Sequence, residues 1–321
     1  MGYASSIHGK SNYAHLAICA DRKDKVNMKS ATLGLLLLGL MTWNMIPLAN
    51  GQTQSASSPK LFPVFDATLY SKKPDLSAYG LSPITVVYAQ QFGPQWFKQI
   101  DLLPSSELVT SVAREAKLKG HPVVVDIEHW PLKGSPGIVQ DSLRKYMTVL
   151  QWFRGAAPEL SPGYYGVPPL RDYWRAIKNQ TSQEYRSWKD ENDKIHSLAD
   201  AVDIFYPSLY TFYPDQDGWR KYAIAQIEEA RRYGSGKPVY VFLWPQYHES
   251  NRILGGRYLP EDYWRLELET AKQYADGIVI WGGWDLKSNR QAKWDDNAPW
   301  WTVTKEFMKR LQPSQPANGT H

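Results

Sequence analysis

Two carboxylates separated by a single residue stand near the middle of the chain, in Val123-Val-Val-Asp126-Ile-Glu128-His-Trp130. Side chains two apart on a strand point the same way, so Asp126 and Glu128 would share one face and Ile127 would take the other. Carboxyls that close resist joint ionisation, and the pKa of one should rise. A protonated carboxyl beside an ionised one is the pairing that cleavage of a glycosidic bond requires. The D-x-E pattern is short and frequent, and the same residues would serve equally as a solvated strand end or as structural ion-pair partners. Its meaning depends on what stands around it.

Seven short runs rich in Val, Ile, Tyr and Phe are read as strands, at 62–68, 84–90, 123–128, 163–167, 203–210, 239–243 and 277–281. Near-continuous apolarity in such runs implies burial on both faces, as in a parallel sheet. Amphipathic stretches at 106–119, 140–154, 184–198, 219–233, 261–274 and 300–311 lie between or after them, with Ser105 as an N-cap and Gly120 and Gly234 as stops. Alternating strands and helices predict βαβ units and a (β/α) barrel of about seven to eight parallel strands, TIM-barrel-like. An open doubly wound sheet is the alternative architecture. In a parallel barrel the chemistry sits where strands end at their C-terminal face, and Asp126 and Glu128 close the third run.

Further segments at the other strand ends join the pair. Asp126-x-Glu128-x-Trp130 resembles the D-x-E-x-W signature of the hyaluronidase family of glycoside hydrolases (family 56). Tyr164-Tyr165-Gly-Val-Pro168 is similar to that family's Y-G-F-P segment, and Tyr206-Pro-Ser-Leu-Tyr210 to its Y-P-S-I-Y. Lys237-Pro-Val-Tyr-Val-Phe-Leu-Trp-Pro-Gln-Tyr247 resembles the strand ending on an active-site tyrosine, and Gly277-Ile-Val-Ile-Trp281-Gly-Gly-Trp284 the family's G-V-V-L-W-x-x-W. The likeness runs through residues 62–311 in the family's order. It implies a TIM-barrel glycosidase acting on N-acetylhexosamine-containing glycans. In that reading Glu128 is the general acid, and Asp126 holds the substrate's acetamido group while its carbonyl attacks the anomeric carbon. Tyr206 and Tyr247 would contact the acetamido group and Trp281 would wall it in, with Tyr165 and Trp130 as further substrate contacts. For Tyr210 burial in the core is an equally ordinary fate, and for Trp130 and Trp284 packing is the more ordinary one.

The departures from the family concern charge and sulfur. Pro131 stands where an arginine suited to a uronate usually follows the signature Trp, and Lys133 is the nearest cation. Cys19 is the only cysteine, so residues 52–321 hold neither disulfide nor thiol chemistry. Two other readings stay open: a catalytically silent carbohydrate-binding barrel, and a barrel hydrolase whose substrate lacks the acetamido group.

The first 51 residues read as a leader. Arg22, Lys23, Lys25 and Lys29 precede the apolar run Leu33–Met41, and Ala49 and Gly51 offer a small-residue exit. That is the pattern of a secretory signal peptide, with 1–27 a misassigned extension if Met28 is the start. The competing reading is an uncleaved anchor, but the run falls short of the ~20 apolar residues a span requires. Cleavage would make the protein secreted or periplasmic. The leader holds five of the 37 basic and two of the 32 acidic residues, so residues 52–321 carry a net charge of +2. That balance, with no basic helix or RNA-binding signature, argues against a nucleic-acid partner. Neither H-E-x-x-H nor paired cysteines are present, and no cofactor or metal is expected. The partner is a polysaccharide or glycan substrate, with no membrane association after cleavage. Residues 52–61 read as a loose linker and 312–321 as a flexible tail, leaving 62–311 as one catalytic domain.

Overall fold

The computed structural model describes residues 61–93, 96, 101–234, 236–285 and 288–311. The expected leader and tail, and all but Leu61 of the linker, lie outside them.

Strand pairing closes a ring. β1 (Val64–Thr68) pairs with β7 (Gly277–Gly282) on one side and with β2 (Ser82–Pro83) on the other. After Ile84, β2 continues as β3 (Thr85–Tyr88), which pairs with β4 (Val123–Asp126), and β4 pairs with β5 (Pro162–Tyr164). Residues 205–208 then join β5 to β6 (Tyr240–Leu243): Tyr165 bridges Tyr206, Phe205 bridges Val239, and Ser208 bridges Phe242. β6 pairs with β7 and completes the circuit, every pairing parallel. Counting β2–β3 as one, the barrel has seven staves, and the open-sheet alternative is excluded.

Alternation along the staves divides the apolar residues into two cores. Phe65, Val124, Ile204, Tyr206, Phe242 and Val279 fill the barrel. Val123, Val125, Val241, Ile278 and Ile280 face outward against the helices. Most of the tryptophan lies in the outer layer: Trp188, Trp219, Trp264, Trp300 and Trp301 are all buried there. Four of the five indoles find partners, as buried N–H groups should, and the Trp300 indole alone has none. Trp188 donates to Leu170 O at 2.9 Å, Trp219 to Leu209 O at 2.8 Å and Trp264 to Thr304 Oγ1 at 3.0 Å. Tryptophan abundance therefore records packing more than ligand contact.

The helices are α1 (Ser106–Lys119), α2 (Pro136–Ala156), α3 (Tyr173–Ala176), α4 (Gln183–Asp193), α5 (His196–Ala201), α6 (Gln216–Arg232), α7 (Glu261–Tyr274) and α8 (Pro299–Leu311). α1 and α7 have the bounds expected from the sequence, and Ser105 and Gly120 cap α1. The single helix expected over 184–198 is instead α4 and α5. Asn192, wholly buried, accepts from Tyr233 Oη on its carbonyl (2.9 Å) and from Leu170 N on its side chain (2.8 Å). The chain tightens there into three-residue bonds, Lys194 N to Glu191 O and Ile195 N to Asn192 O. Among the described residues no helix is long and apolar enough to cross a membrane.

Candidate active site

β4 positions the carboxylates. Its three valines are wholly buried, with Val124 inside the barrel and Val123 and Val125 outside. The alternation continues past the end of the strand. Asp126 is half-buried, Ile127 is wholly buried against the helices, and Glu128 is exposed. The loop beyond is fixed from behind by α2. Tyr146 donates its hydroxyl to Ile127 O (2.9 Å), with Trp130 O at 3.4 Å, while Tyr164 Oη donates to Tyr146 O (2.8 Å).

Burial, and then the neighbouring charge of Glu128, push the Asp126 carboxyl well above the usual carboxylate range. Both influences favour the protonated form of Asp126. Glu128 makes no hydrogen bond among the described residues, which leaves both its oxygens open to an incoming group.

An aromatic wall surrounds the pair. Tyr88, at the end of β3, is the register partner of Asp126, and Trp281 Nε1 donates to Tyr88 Oη at 3.2 Å. Tyr210 stacks on Trp281 (5.8 Å between centroids, 29° between planes), and Trp244 meets both rings edge-on at 5.4 and 5.0 Å. Tyr165 completes the wall, its hydroxyl 3.0 Å from Ser208 Oγ and its ring over Phe242 at 4.9 Å. The Glu128 charge, after burial, raises the Tyr165 pKa, and Asp126 is among the groups that raise Tyr210. Both phenols therefore stay protonated and available as donors.

Of the residues singled out from sequence, the structure brings Asp126, Glu128, Tyr165 and Trp281 together. Tyr206 lies deeper in the barrel, wholly buried between Tyr240 and Phe242, at 6.1 Å from each ring, and its hydroxyl has no hydrogen-bond partner. Its ring covers Gly163, where an added Cβ would come within 2.8 Å of Tyr206 Cδ2. Tyr247 turns to the helix side, 6.3 Å from the Tyr263 ring and within the field of Glu267. Trp130, 2% exposed, packs behind the wall against Trp96 and Tyr146. His248, next to Tyr247, faces the other way, 6.4 Å from Tyr210 and 4.8 Å from Phe212. Tyr88, Ser208, Trp244 and Arg171 join the site unannounced, and Tyr210, for which core and site were both open, takes its place in the wall. Period-two counting from Tyr206 reaches Ser208 on the way to Tyr210 and would have found it.

Lys133, the nearest cation in sequence, is engaged: Asp172 Oδ2 and Arg171 O both lie 3.3 Å from its Nζ. Among the described residues no group of three or more His, Cys, Asp or Glu is arranged to hold a metal ion.

No family model matches the sequence, and none of the curated proteins is significantly similar to it. Solved structures with a similar course include bee venom hyaluronidase, at 16% identity and a TM-score of 0.49 over 78% of this chain and 96% of that one. An endo-β-1,4-mannanase from Thermotoga petrophila gives 11% identity and 0.42 over 81% and 79%. A family 5 glycoside hydrolase from Prevotella bryantii, solved with a xyloglucan tetradecasaccharide, gives 11% identity and 0.43 over 78% and 96%. With these TM-scores below 0.5, the barrel assignment rests on the strand pairing above.

Proposed function

We propose that the chain is a glycoside hydrolase that cleaves glycans containing N-acetylhexosamine. The observation that carries this reading is the unequal carboxyl pair. Asp126 is half-buried with a raised pKa, and Glu128 is exposed two residues on, in an aromatic mouth at the C-terminal end of a parallel barrel.

A sugar seated in the mouth strips water from Glu128, which favours the neutral form of that carboxyl and draws the proton of Asp126 toward it. Glu128 then protonates the departing glycosidic oxygen. The acetamido carbonyl of the same sugar attacks the anomeric carbon as that bond breaks, and water later opens the cyclic intermediate with retention. Asp126, now a carboxylate, accepts the acetamido N–H and steadies the positive charge that develops. Tyr165 and Tyr210 supply hydroxyl donors beside it, and the Trp281 face suits the methyl group. The test is a panel of glycans scored for new reducing ends, with Glu128→Gln as the blank. No new ends from any N-acetylhexosaminide would refute the assignment.

A carbohydrate-binding barrel without catalysis is the second reading, favoured by the aromatic wall taken alone. Binding by itself has no use for an acid held protonated beside an open one. Export is proposed as well, from the charged and apolar leader at 1–51. N-terminal sequencing of exported protein should find a start near Gln52, and recovery of residues 30–50 intact in membranes would replace export by anchoring.

A further inference from the structure

The stave that carries Tyr210 has little ladder to hold it. Ser208 bridges Phe242, and the next bridge is Thr211 to Tyr247. A step from 208 to 211 on one side is thus matched by a longer step from 242 to 247 on the other, and Tyr210 falls in the gap. Among the described residues neither its amide nor its carbonyl makes a backbone hydrogen bond. Its neighbours are held instead, from the helix side. Trp219 and Tyr222, on α6, donate to Leu209 O at 2.8 Å and to Ser208 O at 2.9 Å. Thr211 donates its hydroxyl to Glu267 Oε1 on α7, and its carbonyl accepts from His248 N at 2.7 Å. Thr211 therefore turns to the helices while Tyr210, one residue earlier, turns inward to Trp281 and Trp244.

Glu267 is a costly anchor. It and Thr211 are wholly buried, and its Oε2 has no partner. Burial raises its pKa well above the ordinary value, so the carboxyl stays neutral, and among the described residues no cation pairs with it. A buried polar atom left without a partner lowers stability, and an apolar side chain would fill the same place without that loss. Trp264, Leu268 and Ala271, on the same buried face of α7, are apolar. What Glu267 adds is one bond, to the residue next to Tyr210.

We propose that Glu267 is a positioning residue, which through Thr211 fixes Tyr210 against Trp281 and beside Asp126. It touches no substrate itself. This rests on the hydrolase reading for what Tyr210 does, but not for where Tyr210 is held.

The experiment is NMR of the full chain with isotope-labelled tyrosine rings, the Tyr210 signal being the one that Tyr210→Phe removes. Trp281, stacked 5.8 Å away, displaces that signal by its ring current, so the signal reports where the Tyr210 ring sits. Replacing both members of a buried hydrogen bond by apolar groups of similar shape is nearly neutral or stabilising. The double variant Thr211→Val, Glu267→Met should therefore melt close to or above the parent, yet its Tyr210 signal should move. Thr211→Ser keeps the hydroxyl and Glu267→Gln keeps an acceptor, and both should leave the signal in place. Thr211→Val set against Thr211→Ser repeats the comparison if the double variant folds poorly. On an aryl N-acetylhexosaminide the double variant should lose about five- to tenfold in kcat, no more than Tyr210→Phe loses. Added to Tyr210→Phe it should cause no further loss, because a group that acts through Tyr210 then has nothing to place. An unmoved Tyr210 signal, or a full further loss on top of Tyr210→Phe, would overturn the proposal. A moved signal in a protein that cleaves no N-acetylhexosaminide would keep the positioning and remove the hydrolase assignment. Cleavage with an unmoved signal would do the reverse.

Discussion

Tyr146, on α2, donates its hydroxyl to the carbonyl of Ile127, the residue that separates the two candidate carboxylates, at 2.9 Å. The bond pins the backbone at the one point where a small rotation would move Asp126 and Glu128 together. Tyr146 is 1% exposed and Ile127 is wholly buried, so neither group can turn to water instead. Tyr146→Phe should cost about 1 kcal/mol of stability, the usual worth of one such bond. It should also lower kcat by more than the stability loss explains, because the substitution loosens the geometry of the pair and leaves the sugar-binding wall intact. Steady-state kinetics well below the melting temperature would read this as a fall in kcat with KM little changed. An unchanged kcat would show that the loop holds its shape without the tyrosine.

The two tyrosines of Tyr206-Pro-Ser-Leu-Tyr210 should behave as opposites. A strand advances ~3.3 Å per residue, so four residues set Tyr206 about 13 Å deeper than Tyr210 along the same inward face. Tyr206 Oη is buried with no partner, and removing an unsatisfied hydroxyl is neutral or stabilising. Tyr206→Phe should melt at or above the parent temperature and keep full activity. Tyr210→Phe removes a hydroxyl beside Asp126 and should reduce turnover by about tenfold or more, with little effect on melting. Thermal melts and rates on both variants decide it, and a larger catalytic loss in Tyr206→Phe would reverse the assignment.

That contrast marks where the sequence is legible. Period-two alternation identifies which residues face inward, and it gave the common side of Asp126 and Glu128 and the separate course of Ile127; Trp281 entered through the family resemblance. It does not say at which depth a residue sits, because depth follows from barrel tilt and the register of neighbouring staves. Tyr206 and Tyr210 are indistinguishable by periodicity. Tyr247 lies past the end of β6, where alternation no longer applies; its amide bonds to Arg257 O and its ring goes to Tyr263. Arg171 carries no local signal at all. Its place near Tyr165 and Glu128 follows from tertiary contacts alone.

Glu267 offers a test of burial alone. It is wholly buried on α7, Thr211 Oγ1 donates to its Oε1, and Oε2 has no partner. Desolvation raises its pKa well above the ordinary value, the Thr211 bond opposing only in part. A carboxyl whose folded pKa is raised contributes fully below its unfolded pKa of ~4.3. That contribution is lost as pH rises through the folded value. Glu267→Gln keeps the shape and removes the titration. Melting temperatures measured from pH 4 upward should fall with pH in the parent and be flatter in the variant. Parallel curves would show that the carboxyl is already satisfied when ionised.

The division of labour between Asp126 and Glu128 can be separated by the leaving group. General acid catalysis contributes ~10²–10⁴-fold, so Glu128→Gln, which keeps shape but delivers no proton, should lose about that much on a natural glycan. Asp126→Asn can still meet the acetamido group, but it has no proton to pass to Glu128 and no charge to steady the cyclic intermediate. An activated aryl N-acetylhexosaminide departs without protonation. It should therefore restore much of the rate to Glu128→Gln and little to Asp126→Asn. The pH profiles should differ as well. Burial and the Glu128 charge raise Asp126, so the singly protonated pair persists upward in pH, and the parent should lose kcat/KM only as that last proton leaves. In Asp126→Asn the like charge is gone, and the alkaline limb should move to lower pH. Equal rescue of the two variants by the activated substrate would mean that neither residue is the dedicated acid. An alkaline limb that stays in place in Asp126→Asn would put the titrating proton elsewhere.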